Sequence, residues 1–477
     1  MCGILLLIGE NVEQEVRTLL PRMAHRGPDD THIVSLGSMT LGFVRLEING
    51  TGNSGKQPYR YGNLVGAFNG EIYNSQHLTN TYQLTDIGTD THTILPLFSK
   101  FPSKVLELLD GFYSGALVNE VTGEIWCMRG HMGKKPLFVG QSNSKTFITS
   151  ELKVFDNIDF FYPVPLGITS INPQTGEIHQ IAQHSFNKPK QNLKSIFLES
   201  VIKRLPSPSQ PVGVFLSGGL DSSLVAAVVA EHRSDAIYFT LGNGQDNAAV
   251  QTVINCLGLE DVREVPLPNL EDLPNLIRDV VYFTESFNPS VISNGLGTFL
   301  LSQAAKSAGI KVVLGGEGAD ELFGGYHQYK SPQSEWRSIR NQLIADMPLT
   351  ELRRLDLTSM AHSIEVRCPF LDHGVRSFSD TLEFGDLYGQ VHNKVHLRRE
   401  FKGILPDDIL WRPKTSLDVG SGVRGLITPF LRRNGKSERE GLMDIWKDLY
   451  SFDSERPYFS AYPVFDEAIE GRGVSHR

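Results

Sequence analysis

The chain has 477 residues, 40% of them hydrophobic, and a formal net charge of −9. That length suits two to four domains at about 100–200 residues each, with apolar content ample for buried cores. The acidic balance leaves no basic footprint for nucleic acid, and no stretch approaches the roughly 18 apolar residues of a membrane span. Cys2, Cys127, Cys256 and Cys368 are scattered. Without CxxC pairs or a disulfide framework, they point to a reducing, cytoplasmic compartment and away from structural zinc.

The chain opens MCGILLLIGE. Ile4 to Ile8 are an apolar run of strand length, which holds Cys2 at the mouth of a buried strand. The run lacks a basic leader and ends at Gly9, Glu10 and Asn11, too early for a signal peptide. The Asn49-Gly50-Thr51 sequon is therefore not read as a glycosylation site. Cys2 stays open between a chance residue and a nucleophile that becomes the N-terminus once Met1 is removed.

The first ~185 residues read as short strands between turns. MTLGFVRLEI (39–48), GNLVGAFNG (62–70), GALVNEVTGEIWCMRG (115–130) and PLFVGQSNSKTFITSE (136–151) carry the pattern. GEIW and QSNSKTF fit hairpin turns, and helical pattern falls at Glu13–Arg22 and Thr91–Leu109. The polar stretch HSFNKPKQNLKS, near 185–195, reads as a linker and divides the chain into domains 1–187 and 193–477.

A different grammar follows. PVGVFLSGGLDSSLVAAVVAEH (211–232) is a buried strand, a glycine-rich turn and a helix. AIYFTL (236–241), VREVPL (262–267) and IKVVLGG (310–316) are further strand candidates separated by helical pattern. Such alternation predicts a parallel sheet covered on both faces, with ligands at the carboxyl ends of its strands. The charge run RREFK (398–402) reads as a solvated helix face.

In SGGLDSS (217–223), Gly218 and Gly219 let the backbone turn tightly and aim N–H groups at one point. The helix N-terminus adds partial positive charge, which makes an anion nest. Ser217, Ser222 and Ser223 supply hydroxyls. Asp221 belongs in such a nest only beside a cation, and Mg²⁺ bridging phosphates provides one. The spacing matches neither GxxxxGK[ST] nor GxGxxG. LGGEGADELFGGY (314–326) sets Glu317, Asp320 and Glu321 among glycines after a second apolar strand. Asp320 could share Mg²⁺ with Asp221, and Glu317 could act as acid or base near a reacting carboxyl.

SGGLDSS resembles the pyrophosphate loop of the ATP-pyrophosphatase family. MCGI, HRGPDD (25–30), VRLEI (44–48), FNGEIYN (68–74), GTDTH (88–92), KKPLF (134–138) and SEL (150–152) follow in order the pattern of class II glutamine amidotransferases. SGGLDSS, GEGADELFGGY, SMAHSIEVRCPFLDH (359–373), KVHLRREF (394–401) and ILPDDILWRPK (404–414) follow a synthetase pattern. Over nearly its whole length the chain is similar to the glutamine-dependent asparagine synthetase family.

The resemblance implies an α/β protein: an N-terminal Ntn-type αββα sandwich, then a parallel-sheet ATP-pyrophosphatase domain of the adenine nucleotide alpha hydrolase kind. It implies glutamine, ATP and aspartate as small-molecule substrates, Mg²⁺, no nucleic-acid or membrane partner, an ammonia tunnel, and room for a homodimer. Cys2 would be the nucleophile, with its own α-amine as base. Asn69 and Gly70 would form the oxyanion hole, and Arg45, Glu71 and Asp90 would help to hold glutamine. Ser217, Gly218, Gly219, Leu220, Asp221, Ser222, Ser223, Leu241, Gly315 and Gly316 would bind ATP, with Asp221 and Asp320 on the metal. Lys394 would steady charge on the adenylate, and Glu317 would lie near that intermediate.

There are departures. GFVRL (42–46) and RGHMGKKPLF (129–138) replace GHRRL and RDRxGxKPL, and SVISNG (290–295) puts Ser293 where the family commonly carries an arginine. The acceptor is thus aspartate, met by Arg367 of EVRCPF, or another carboxylate. A nucleotide-binding relative without turnover is the alternative from outside enzymes.

Overall fold

In the computed structural model the apolar run after Met1 is a strand buried along its whole length, β1 (Cys2–Ile8). Residues 2–187, 189, 191–242, 244–326 and 333–460 are described. The chain divides into two compact units, one of residues up to Ser185 together with Tyr450–Phe452, the other beginning at Phe186.

In the first unit β1 is followed by α1 (Glu13–Leu19), a 3₁₀ turn (Leu20–Arg26), β2 (Asp30–Leu36), β3 (Met39–Arg45), β4 (Tyr59–Tyr61) and β5 (Leu64–Ile72). Then come α2 (Ser75–Tyr82), α3 (Ile94–Lys100), α4 (Val105–Leu108), β6 (Gly111–Asn119), β7 (Ile125–Arg129), β8 (Phe138–Ser142) and β9 (Lys145–Thr149). The strands β10 (Phe160–Pro163), β11 (Gly167–Ile171) and β12 (Ile178–Ala182) complete the unit.

Two six-stranded antiparallel sheets result, ordered β10-β8-β9-β1-β3-β2 and β12-β11-β7-β6-β5-β4. Ile4, Leu6, Leu41 and Phe43 of the first meet Val65, Ala67, Ala116 and Val118 of the second in one core. The outer face of the second sheet packs Phe68 and Leu117 with the α2–α4 residues Leu78, Ile94, Leu97 and Val105. On the first sheet, Gly3 and Gly42 lie against Met23, Val16 and Leu20. The layers are therefore helix, sheet, sheet, helix. Strands between two apolar layers are buried on both faces, which is why β1 and β3 read as unbroken apolar runs rather than alternating ones.

Two local predictions were refined. The helical stretch Thr91–Leu109 splits into a 3₁₀ turn (Asp90–Thr93), α3 and α4. Pro102 disfavours α geometry at Phe101, and Phe101 leaves the helix at φ −139° and ψ 59°. In QSNSKTF, Asn143 and Ser144 take φ of 50° and 62° between paired Ser142 and Lys145, a two-residue hairpin loop with both φ positive.

The second unit begins with α5 (Leu193–Ile202), β13 (Val212–Phe215), α6 (Leu220–His232), β14 (Ile237–Leu241), α7 (Asn247–Leu257), β15 (Val262–Val265), α8 (Leu273–Thr284) and α9 (Pro289–Ser307). It continues with β16 (Val312–Leu314), α10 (Ala319–Phe323), α11 (Trp336–Asp346), α12 (Glu351–Met360) and β17 (Glu365–Arg367), with shorter helices beyond. The parallel sheet runs β15-β14-β13-β16-β17. Chain order reverses at β13, so β13 and β16 flank the topological switch point, where open α/β sheets bind ligands. SGGLDSS leaves the carboxyl end of β13 and GGEGADE that of β16.

Candidate active sites, one in each unit

In the first unit, β1 and β5 bring Cys2 to Asn69. The Cys2 nitrogen donates to Asn69 Oδ1 at 2.9 Å. With Met1 attached the Cys2 nitrogen is a peptide N–H, which only donates, so the amide oxygen faces it and Nδ2 is left as the outward donor. That Nδ2 is buried and has no hydrogen-bond partner. An orphaned buried donor beside a thiol is what an oxyanion requires. Gly70 follows at φ +150°, where a Cβ would stand 2.1 Å from the Phe112 carbonyl oxygen; only glycine fits.

Cys2 is also held from behind. Arg26 Nε donates to the Cys2 carbonyl at 2.9 Å, and Arg26 Nη1 reaches Glu151 at 2.8 Å. Lys153 and His25 also pair with Glu151, at 2.8 and 3.0 Å. Burial alone would raise the Glu151 carboxyl, but His25, Lys153 and Arg26 hold it well below the usual range. Burial also keeps His25 below its ordinary value. Glu151 lies in the SEL motif, yet sequence reasoning gave it no role.

The glutamine-holding candidates surround the same strand. Arg45 donates to the carbonyls of Gly52, at 2.7 Å, and Gly50, so its guanidinium is engaged by the 49–52 loop. Asp90 accepts from the Ile72 nitrogen at 2.7 Å and the Thr89 hydroxyl at 2.9 Å. Glu71 accepts from Asn49 Nδ2 at 2.5 Å.

In the second unit, a cavity of about 1000 Å³ opens at the switch point. Ser217, Gly219, Leu220, Asp221, Ser222, Leu241, Gly316, Glu317, Asp320 and Lys394 line it. Gly218, Ser223 and Gly315 are not among its lining residues. Gly218 sits against the backbone of Ala249 and Val250, and Gly315 against the Glu317 side chain. Within the turn, the Ser222 hydroxyl accepts from the Ser217 nitrogen at 3.1 Å. The two loops touch: a Cβ on Gly316 would lie 2.8 Å from the Ser222 nitrogen.

Lys394 closes the arrangement. Its Nζ donates to both Asp221 oxygens, at 2.7 and 2.6 Å, and meets Asp320 at 2.6 Å. Lys414 holds the other Asp320 oxygen at 2.6 Å. Burial would raise the Asp320 carboxyl, but Lys394 and Lys414 hold it far below the usual range. Burial, then Glu351 and Asp320, push neighbouring Glu321 up to about 8. Glu317 faces Arg354 of α12 at 3.6 Å, and Arg354 donates to Thr298 at 2.7 Å.

Residues 192–350 and 342–447 match the asparagine synthase family, and residues 1–163 match the glutamine amidotransferase domain. The chain belongs to the glutamine-hydrolysing asparagine synthetase family. It is a glutamine-dependent carbon–nitrogen ligase. Asparagine synthetase B of Escherichia coli K12 is 31% identical, over 84% of this chain and 78% of its own length. The Brassica oleracea asparagine synthetase is 30% identical, over 88% and 78%. A probable asparagine synthetase of Acanthamoeba polyphaga mimivirus is 28% identical, over 87% and 84%.

Against the asparagine synthetase frame, two expectations need correction. Arg367 does not line the cavity: it pairs with buried Glu365 at 2.9 Å and donates to the Arg204 carbonyl at 2.8 Å. It braces β17. RREFK is not a uniformly solvated face either, because Arg398 is buried, lines the cavity and donates to the Asn393 carbonyl at 2.7 Å. Among cavity residues that sequence reasoning missed, Lys414 ends the quoted WRPK motif, while Arg354, Glu351 and Arg424 carry no local signal.

Proposed function

We propose that this asparagine synthetase relative amidates aspartate through a β-aspartyl adenylate, with glutamine as nitrogen donor and release of AMP and pyrophosphate. The observation that carries the reading is Lys394, whose ammonium joins Asp221 of the glycine-rich turn to Asp320 of the second loop. In the first unit, with Met1 removed, the Cys2 α-amine takes the thiol proton. The thiolate attacks the glutamine side-chain amide while Asn69 Nδ2 and the Gly70 N–H receive the oxyanion. Ammonia leaves, and water hydrolyses the thioester.

In the second unit, a carboxylate oxygen attacks the α-phosphorus of ATP, the bond to the bridging oxygen breaks, and pyrophosphate leaves into the turn. Lys394 and Lys414 supply fixed positive charge there. Ammonia then attacks the acyl carbon, AMP leaves, and Glu317 stands as acceptor for the surplus proton. Asp221 and Asp320 point oxygens at one common ammonium, and such a convergent hard-oxygen pair also fits Mg²⁺ shared with phosphates. Bound there, the ion would neutralise phosphate charge.

The test is product analysis with ATP, glutamine, Mg²⁺ and aspartate. AMP, pyrophosphate and asparagine in equal amounts support the reading; ADP and phosphate overturn the adenylate.

A further inference from the structure

Ser293, Asp418 and Arg424 form a chain that the reaction above does not use. The Ser293 hydroxyl donates to Asp418 Oδ2 at 2.7 Å, and Arg424 Nη1 reaches that same oxygen at 3.3 Å. Asp418 is fixed further by the Val419 nitrogen at 3.0 Å. Arg424 Nη2 lies 3.5 Å from Glu438, which Arg432 also holds, at 2.9 Å. Arg424, Asp418 and Glu438 all line the cavity. The Arg424 side chain keeps 26% of its surface exposed, whereas those of Asp418 and Glu438 keep 2% and 6%. Arg424 is therefore the cation that both buried carboxylates hold while part of its surface stays open, whereas the more open Arg432, at 62%, meets Glu438.

Helix α9 relates this cluster to the reacting end of the cavity. Thr298 accepts from Arg354, the partner of Glu317. Asn294, four residues earlier, accepts from the Asp418 nitrogen at 3.3 Å. Four residues of helix rise about 6 Å, so the two anchoring points stand about one turn apart on one wall. Glu317 and Arg424, each tied to that wall through Arg354 and Asp418, both line the cavity, so a ligand lying along it can present one carboxyl toward Glu317 and a second anionic group toward Arg424.

We propose that Arg424 determines acceptor specificity by holding the second carboxylate of a short acidic amino acid. Asp418 and Glu438 offset the charge of Arg424 and Arg432, so a zwitterionic head, with an ammonium beside its carboxylate, matches the cluster better than a bare dianion. The inference rests on the amidation reading and supplies the acceptor contact that Arg367 does not make.

The test is AMP release by the full chain with ATP, glutamine, Mg²⁺ and one of four acids: aspartate, succinate, β-alanine or propionate. The parent should use aspartate best, succinate less well and the two monocarboxylates least. Arg424→Gln should raise the aspartate requirement roughly 10- to 100-fold, the worth of a charge-assisted hydrogen bond. Its ATP requirement should stay within about twofold, well under that loss, and Arg424→Lys should recover part of the affinity. Equal use of aspartate and β-alanine by the parent overturns the assignment and leaves amidation standing. So does a variant in which aspartate and ATP requirements rise together as melting temperature falls. No AMP from any acid overturns the amidation reading itself, and Arg424 with it.

Discussion

Lys394→Met isolates the electrostatic centre of the second unit. The Lys394 side chain is 2% exposed, and its partners Asp221 and Asp320 are 13% and 14% exposed. Removing one partner of a buried ion pair costs about 3–5 kcal/mol, because the other charge is left uncompensated. Here two carboxylates lose a cation, but Lys414 remains on Asp320, so the low end applies, about 3 kcal/mol. For a unit of this size that is a fall of roughly 5 °C in melting temperature. Calorimetry reads it on the transition that ATP shifts. The pH dependence has a definite sign. Lys394 and Lys414 depress the folded Asp320 carboxyl, so its contribution is full above the unfolded value near ~4 and is lost as pH falls through the folded one. The difference between parent and variant should therefore be largest near neutrality and shrink below about pH 4. AMP formation should collapse while glutamine hydrolysis survives. A neutral-pH loss under about 1 kcal/mol, or one that grows toward acid, would refute the claim that Lys394 neutralises both carboxylates.

The other predictions are as follows. Cys2→Ala should abolish glutamine-supported product formation and leave ammonia-supported formation nearly intact; loss of both, or survival of the first, counts against two separate sites. Asp221→Asn should strongly slow Mg²⁺-dependent pyrophosphate release while glutaminase stays measurable, and a parental rate would remove Asp221 as a metal ligand. Glu321→Gln should flatten the pH profile of stability. The parent carboxyl sits at about 8 when folded and near ~4.3 when unfolded, so parental stability falls as pH rises through that window. Denaturant melts at several pH values should show the variant's advantage growing toward alkali, and an advantage confined to acid would be contrary. Arg367→Ala strands buried Glu365 and should cost about 3–5 kcal/mol, with the aspartate requirement of the folded remainder unchanged; a selective rise in that requirement would return Arg367 to the acceptor.

Where a motif is local, sequence reading reached the strand, turn and helix that carry it. The β13–α6 turn could be read because the apolar strand, paired glycines and helix start are contiguous, and neither strand of the switch point needs distant partners to be recognised. β17 was missed for the opposite reason. Its three residues, Glu365, Val366 and Arg367, are two-thirds charged, and they form a strand only because β16 pairs with them and the two charges neutralise each other. Thr91–Leu109 kept its helical character, and only its continuity failed, at a proline whose effect on the preceding residue is itself legible in the sequence.

Site residues divide along the same line. Cys2 and Asn69 are 67 positions apart, and motif order alone suggested their partnership; the bond between them follows from two strands lying in facing sheets. Acceptor recognition had no such guide. A serine at position 293 reads in isolation as the loss of a cation, and the nearest quoted arginine, Arg367, was assigned in its place. Packing changes what that serine means. Its hydroxyl orients Asp418, 125 positions away, and Asp418 in turn aims Arg424. A small donor on α9 is compatible with a cation delivered from another helix, and a large cation at 293 would have to share the buried Asp418 with Arg424. Ser293→Arg should therefore lower stability without improving aspartate use, measured by melting temperature and by AMP release. If it improved aspartate use instead, the cation would belong on α9 and Arg424 would be a bridge between Asp418 and Glu438.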